Sequence, residues 1–200
     1  MAQLYFEYGT MKSGKSADLL MTHYNYESQN KTCLLYTSSL DDRYGKGFIK
    51  SRMSGSKLTA NLLDNDSFEQ IKKDILSYNK VYCILVDESQ FLSKEQVVGL
   101  SKVVDELNIS VICYGLRADF KGELFTGSKA LLELADKILE KKTVCEVCNR
   151  KATMNLRTVN NVAVYEGEQI VVGDEEYHPT CRKCWLNWND KVKNIEEEEN

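Results

Sequence analysis

Two rhythms of apolar and polar positions alternate along the first 140 residues or so. Residues 2–8 (AQLYFEY) read as a strand leading into a Gly-rich turn, and short, continuous apolar runs occur at 32–37 (TCLLYT), 81–86 (VYCILV) and 109–114 (ISVICY). Runs of this length, rich in branched and aromatic residues, predict strands buried on both faces, as in a parallel sheet. Between them, apolar positions recur every three or four residues. Residues 15–28 predict a helix with Leu19, Leu20, His23 and Tyr24 near one face. After Ser93, the residues Val97, Leu100, Val103, Val104 and Leu107 keep that spacing. Ser67 with Gln70, and Ser93 with Gln96, have capping-box spacing. Ser128 is placed to cap an amphipathic stretch over 128–140. The alternation predicts an open α/β sheet with helices on both faces.

Two segments break the pattern. Residues 41–61 are basic and rich in Gly and Ser; they read as a mobile loop near a ligand, or as a solvated connector. From residue 143 the chain carries four cysteines, short strand-like runs and no clear helix, and it ends in EEEEN. The expected organisation is an α/β domain over 1–142, a small cysteine-bearing domain over 143–190 and an acidic tail over 191–200. No internal repeat is visible.

Composition narrows the function classes. Apolar residues make up 42% and charged residues 28% of the 200, a globular balance. A net charge of -4 argues against a nucleic-acid polymer as main partner, since phosphate backbones are held by excess Lys and Arg. There is no basic start followed by a long apolar stretch, and no run long enough to span a bilayer, so a cytoplasmic protein is expected. In a reducing compartment the seven cysteines read as metal ligands or buried thiols.

The strongest motif is Gly9-Thr10-Met11-Lys12-Ser13-Gly14-Lys15-Ser16, which fits G-x-x-x-x-G-K-[ST]. Glycines let the backbone curl so that its N–H groups face phosphate oxygens, and the next helix aims its positive end at the same anions. Lys15 would reach the terminal phosphates of ATP, and the Ser16 hydroxyl would ligate Mg2+. With a strand before it and a helix after it, the motif predicts a P-loop (RecA-like) nucleotide-binding fold.

The run 81–87 ends in acid, followed by Glu88-Ser89-Gln90-Phe91. Asp87 would hold Mg2+, directly or through water. Glu88 is either a general base for an attacking hydroxyl or a strand-end cap. Cys145/Cys148 and Cys181/Cys184 form two C-x2-C pairs separated by 32 residues, a four-thiolate set suited to structural zinc, although iron is also compatible. His178 is the competing fourth ligand. Cys33, Cys83 and Cys113 lie in apolar runs and read as core.

The ordered set of phosphate loop, Asp-Glu-x-Gln-Phe strand end and late cysteine pairs resembles the cytosolic-type thymidine kinase family, from Gln3 to about Trp185. The resemblance implies transfer of the γ-phosphoryl group of ATP to the 5′-hydroxyl of thymidine, with deoxyuridine as a further acceptor. It implies that Glu88 takes the hydroxyl proton, that Arg43 lies near the transferred phosphate, and that Asp41 holds the hydroxyl or a magnesium water. Gln90 joins the nucleotide and magnesium set. The segment 114–125 is similar to the family's thymine-binding stretch, with Phe120 stacking on the base near Leu116, Phe91 and Phe125; from the residues alone, core packing would explain both phenylalanines. Met11 and Asn155 would border the base. A zinc-held lasso would read the base edge through Gln169, Ile170, Val171, Val172 and Gly173, with Tyr177 on the sugar. A homotetramer with feedback by dTTP is also implied. Three positions depart from the family pattern: Lys12 places a charge in the phosphate loop, Ser89 replaces a smaller residue, and Asn155 stands where Thr is common, which bears on thymidine against deoxyuridine. Two readings outside the family compete: a P-loop ATPase acting on nucleic acid, and a non-enzymatic zinc-ribbon binding module.

Overall fold

The computed structural model describes residues 1–40, 46–51, 55–169 and 176–189. By their contacts these fall into two units. The first contains Met1–Tyr8, Gly14–Arg117 and Phe125–Lys141; the second contains Gly9–Ser13, Ala118–Leu124 and the described residues from Lys142 onward.

The first unit is built on a six-stranded sheet. Its strands are β1 (Leu4–Gly9), β2 (Thr32–Thr37), β5 (Asn61–Leu62), β6 (Val81–Asp87), β7 (Ser110–Gly115) and β8 (Lys137–Lys141), in the order β5-β2-β6-β7-β1-β8. The pairs β1–β7, β6–β7, β2–β6 and β2–β5 are all parallel. The apolar runs predicted this because side chains alternate across a strand and both faces are covered. Leu34 and Tyr36 on β2, with Ile84 and Val86 on β6, join one buried cluster that takes in Val97, Leu100 and Val103 of helix α3 (Lys94–Leu107) and Leu131 of helix α4 (Thr126–Leu134). Cys33 and Leu35 of β2, with Cys83 and Leu85 of β6, join a second cluster with Leu19 and Leu20 of helix α1 (Lys15–Glu27). The three strand-run cysteines are thus buried thiols. Among the described residues no helix is long and apolar enough to cross a membrane.

Helix ends follow local hydrogen bonding. The capping box predicted at α3 is present: Ser93 Oγ accepts from Gln96 N–H and the Gln96 side chain accepts from Ser93 N–H. The box predicted at Ser67 and Gln70 is not. Asp66 caps helix α2 (Ser67–Ile75) by accepting from Glu69 N–H, while buried Ser67 donates to the Gln96 carbonyl. The stretch 128–140 is not one helix either. Helix α4 starts at Thr126 and stops at Leu134; Ala135 turns extended and the chain becomes strand β8. Asp136 makes the switch, its N–H donating to the Leu4 carbonyl and its side chain accepting from Leu4 N–H. Ser128 donates to the Leu116 carbonyl instead of capping. Residues 41–61, expected as loop, contain an antiparallel pair of β3 (Phe48–Lys50) with β4 (Lys57–Thr59), and then β5.

The second unit has a three-stranded antiparallel sheet, β10-β9-β11, from Met154–Val159 (β9), Val162–Val164 (β10) and Glu176–Thr180 (β11). It also holds one short helix that the sequence did not announce, α5 (Arg182–Leu186), capped by Cys181.

Candidate functional site

In the first unit, a cluster gathers where β6 ends and α1 begins. Gly14 takes φ 83 at the N-cap of α1, a left-handed conformation that glycine adopts without strain. Lys15 and Ser16 follow in the first turn. Asp87 ends β6 and is 5% exposed. Burial, and then the charge of Glu88, push its carboxyl up to about 7, while the Glu88 N–H (3.0 Å from Oδ1), the Lys15 charge and the Ser16 hydroxyl pull the other way. A buried carboxylate beside a hydroxyl is a hard-oxygen pair that suits Mg2+.

Glu88 stands at φ 49, ψ 38, in the left-handed region that non-glycine residues avoid at a cost of about 1–2 kcal/mol. Such outliers cluster at functional sites. The Gln90 amide N–H donates to the Glu88 carboxylate, and Gln90 Oε1 accepts the Leu116 N–H at 3.0 Å. Gln90 is 1% exposed, so both ends of its amide are committed within the protein. Gly115 makes this possible: a Cβ there would lie 2.6 Å from Ser89 Oγ and 2.8 Å from Gln90 Oε1. Ser89 is buried and donates to the Tyr114 carbonyl. Phe91 and Phe125 meet edge to face, with ring centroids 5.7 Å apart.

The second unit gathers the other predicted residues. The Met11 N–H donates to Asn155 Oδ1 at 2.7 Å, and Asn155 Nδ2 donates to the Ala118 carbonyl at 3.0 Å. Asn155, expected beside a base, is buried with its amide engaged by protein at both ends. Phe120 is buried; the Arg157 guanidinium lies 4.1 Å from its ring centre, and the Trp185 indole N–H donates to its carbonyl. Tyr177 pairs directly with Arg157 across β11 and β9, and Pro179 with Asn155, so these four share one face of the small sheet. Asp119 closes the turn after Ala118: its Oδ1 accepts the N–H groups of Lys121 and Glu123, and its Oδ2 accepts Gln169 Nε2 at 2.9 Å. Asp41 and Arg43, and Ile170, Val171, Val172 and Gly173, lie outside the described residues.

Arg157, Asp119, Trp185 and Glu146 were not singled out from sequence. Asp119 had a signal, an acid two residues before an amide it can bond in a turn. Arg157 and Trp185 meet Phe120, and Glu146 meets Lys12, across long stretches of chain (65 residues for Trp185 and 134 for Glu146), and nothing local announces them.

The cysteine pairs converge. The ligand atoms of Cys145, Cys148, Cys181 and Cys184 all lie within 4.8 Å of one another, with Cys148–Cys181 and Cys148–Cys184 at 3.7 Å. Four sulfurs at the corners of a tetrahedron around zinc would stand about 3.8 Å apart, from a Zn–S bond of about 2.3 Å, so these residues could hold a metal ion and their spacing fits one. Although burial opposes it, the N–H of Cys184 and the neighbouring thiols bring Cys181 down to about 7, which favours the thiolate a metal needs. His178 is not in the set; its ring bonds Glu146 and Thr158.

Residues 2–185 match the family model described as thymidine kinase. The chain is 50% identical over 193 residues to a thymidine kinase of Streptococcus pyogenes serotype M28, covering 94% of this chain and 98% of that one. It is 50% identical over 192 residues to a thymidine kinase of Streptococcus gordonii (93% and 97%) and over 189 residues to one of Listeria monocytogenes serotype 4b (94% and 98%).

Proposed function

The chain belongs to the thymidine kinase family, and from that premise we propose that it transfers the γ-phosphoryl group of ATP to the 5′-hydroxyl of thymidine, giving thymidine monophosphate and ADP. The observation that carries the mechanism is Glu88: a strained carboxylate at the end of a buried strand, oriented by Gln90 and adjacent to the acid that pairs with Ser16.

In this reading Gly9–Ser16 is the P-loop of a RecA-like nucleotide-binding fold. Its backbone N–H groups and the Lys15 ammonium hold the phosphates of ATP. Ser16 and Asp87 hold Mg2+, which when bound neutralises charge on the phosphates. Glu88 accepts the proton of the 5′-hydroxyl as that oxygen bonds to the γ-phosphorus and the bond to the ADP oxygen breaks. Gln90 keeps the Glu88 carboxylate from turning back toward Asp87. Phe120, buried with Arg157 against its ring, is the aromatic residue proposed to stack on the pyrimidine. Met11, Leu116, Phe91, Phe125 and Tyr177 line the nucleoside, Gln169 starts the lasso, and Arg43 and Asp41 assist at the phosphate and hydroxyl. Asn155 shapes the preference for thymidine over deoxyuridine by holding Met11 and Ala118 in place. The four cysteines hold zinc in a structural role. A cytoplasmic homotetramer inhibited by dTTP completes the reading.

The test is product identity. Phosphorus NMR of the protein with ATP, Mg2+ and thymidine should show the monophosphate rising with ADP in equal amounts. ADP accompanied only by inorganic phosphate would contradict the proposal.

A further inference from the structure

Lys12 is a charge in the middle of a loop read as the phosphate cradle, and it has two possible uses. It could neutralise phosphate directly, or it could hold the loop in shape. The geometry points to the second. Lys12 stands at φ 60, a left-handed conformation that lysine resists and that the surroundings must therefore impose. Its ammonium lies 2.7 Å from Glu146 Oε1. Glu146 sits inside the first cysteine pair, and its N–H donates to the Pro179 carbonyl at 3.0 Å. Its second oxygen lies 2.6 Å from His178 Nδ1, and His178 Nε2 lies 3.2 Å from Thr158 Oγ1. The carboxylate is thus fixed at both oxygens, on a backbone turn flanked by Cys145 and Cys148. The preceding residue, Met11, is gripped separately through its N–H by Asn155.

We propose that Glu146 is a positioning residue for ATP: through Lys12 it pins the phosphate loop, so the four-cysteine site supports nucleotide binding as well as its own segment. The proposal rests on the reading of Gly9–Ser16 as the phosphate loop. The Lys12–Glu146 pair is part exposed, 46% and 33% at the side chains, so its contribution is modest.

The experiment is equilibrium binding of radiolabelled ATP with Mg2+ to the full-length, metal-loaded chain, alongside amide hydrogen exchange at residues 9–13 without nucleotide and metal content for each protein. Glu146→Gln and Lys12→Met should each weaken ATP binding by about two- to fivefold, the double variant no more than either single one. Both should speed exchange at 9–13 with metal retained. Chelating the metal from the wild type should speed the same exchange. If Glu146→Gln binds ATP as tightly as the wild type or tighter while Lys12→Met binds it more weakly, Lys12 acts on the phosphates directly and the proposal falls. Should Glu146→Gln shed its metal, Lys12→Met decides, since unchanged exchange at 9–13 in that variant overturns the proposal. A wild type that binds no ATP would remove the phosphate-loop reading itself, and this inference with it.

Discussion

Asp87 shows what burial can cost a single carboxyl group. Its ordinary value is 3.8, and in the folded chain burial pushes it up to about 7. Between those values the folded state binds more protons than the unfolded state, so its stability falls as pH rises. Asp87→Asn removes that dependence. With neither magnesium nor ATP present, the urea midpoint of the variant should gain on that of the wild type between about pH 5 and about pH 7. A constant difference across that range would show that Asp87 is not held as described. At this scale the sequence was legible where chemistry is written in residue type and place: an acid at the end of an apolar run, or a Gly-Lys-Ser after a strand. It was silent on partners. The amide groups of Gln90 and Asn155 look alike in a sequence. One spans from Glu88 to Leu116 and the other from Met11 to Ala118, and only the fold determines that.

Among the elements, the central strands were readable because burial on both faces leaves a continuous apolar run, as Cys83, Ile84, Leu85 and Val86 illustrate. Helix α3 was readable because its cap and its apolar spacing agree. Ser93→Ala should cost about 1 kcal/mol and lower the melting temperature by roughly 2–4 °C, with phosphoryl transfer unaffected. An unchanged melting temperature would mean that the box adds nothing to the helix. Two boundaries were missed for identifiable reasons. Asp66 was passed over for Ser67 although both are cap formers, because the Gln70 side chain, read as half of a box, instead bonds Leu62 O and Asp64 N–H. Residues 128–140 have helical spacing throughout, but Asp136 pairs with Leu4 and commits Lys137–Lys141 to the sheet.

For the whole chain, composition suggested a boundary near residue 143, whereas contacts also group Gly9–Ser13 and Ala118–Leu124 with the C-terminal segment. Hydrogen bonds from Asn155 and Trp185 and the Glu146 ion pair account for that grouping. No local pattern predicts bonds across more than a hundred residues. The cysteine spacing, by contrast, announced its own closure, since two C-x2-C pairs suit one four-thiolate site and the four sulfurs lie together. With a metal at the four cysteines, folding of this segment would be coupled to it, so chelation should speed proteolysis after about residue 143 and leave cleavage within the sheet of the first unit slower. Equal cleavage rates with and without chelator would separate the cysteines from stability.

The most direct test of the account is transfer of labelled phosphate from ATP to thymidine, deoxyuridine, deoxycytidine or no acceptor, by the wild type and by Glu88→Gln side by side. The account predicts transfer to thymidine above the others by the wild type, and a variant that still binds ATP but loses most turnover, by about a hundredfold or more. ATP hydrolysis without transfer to any nucleoside, or a variant as fast as the wild type, would contradict it.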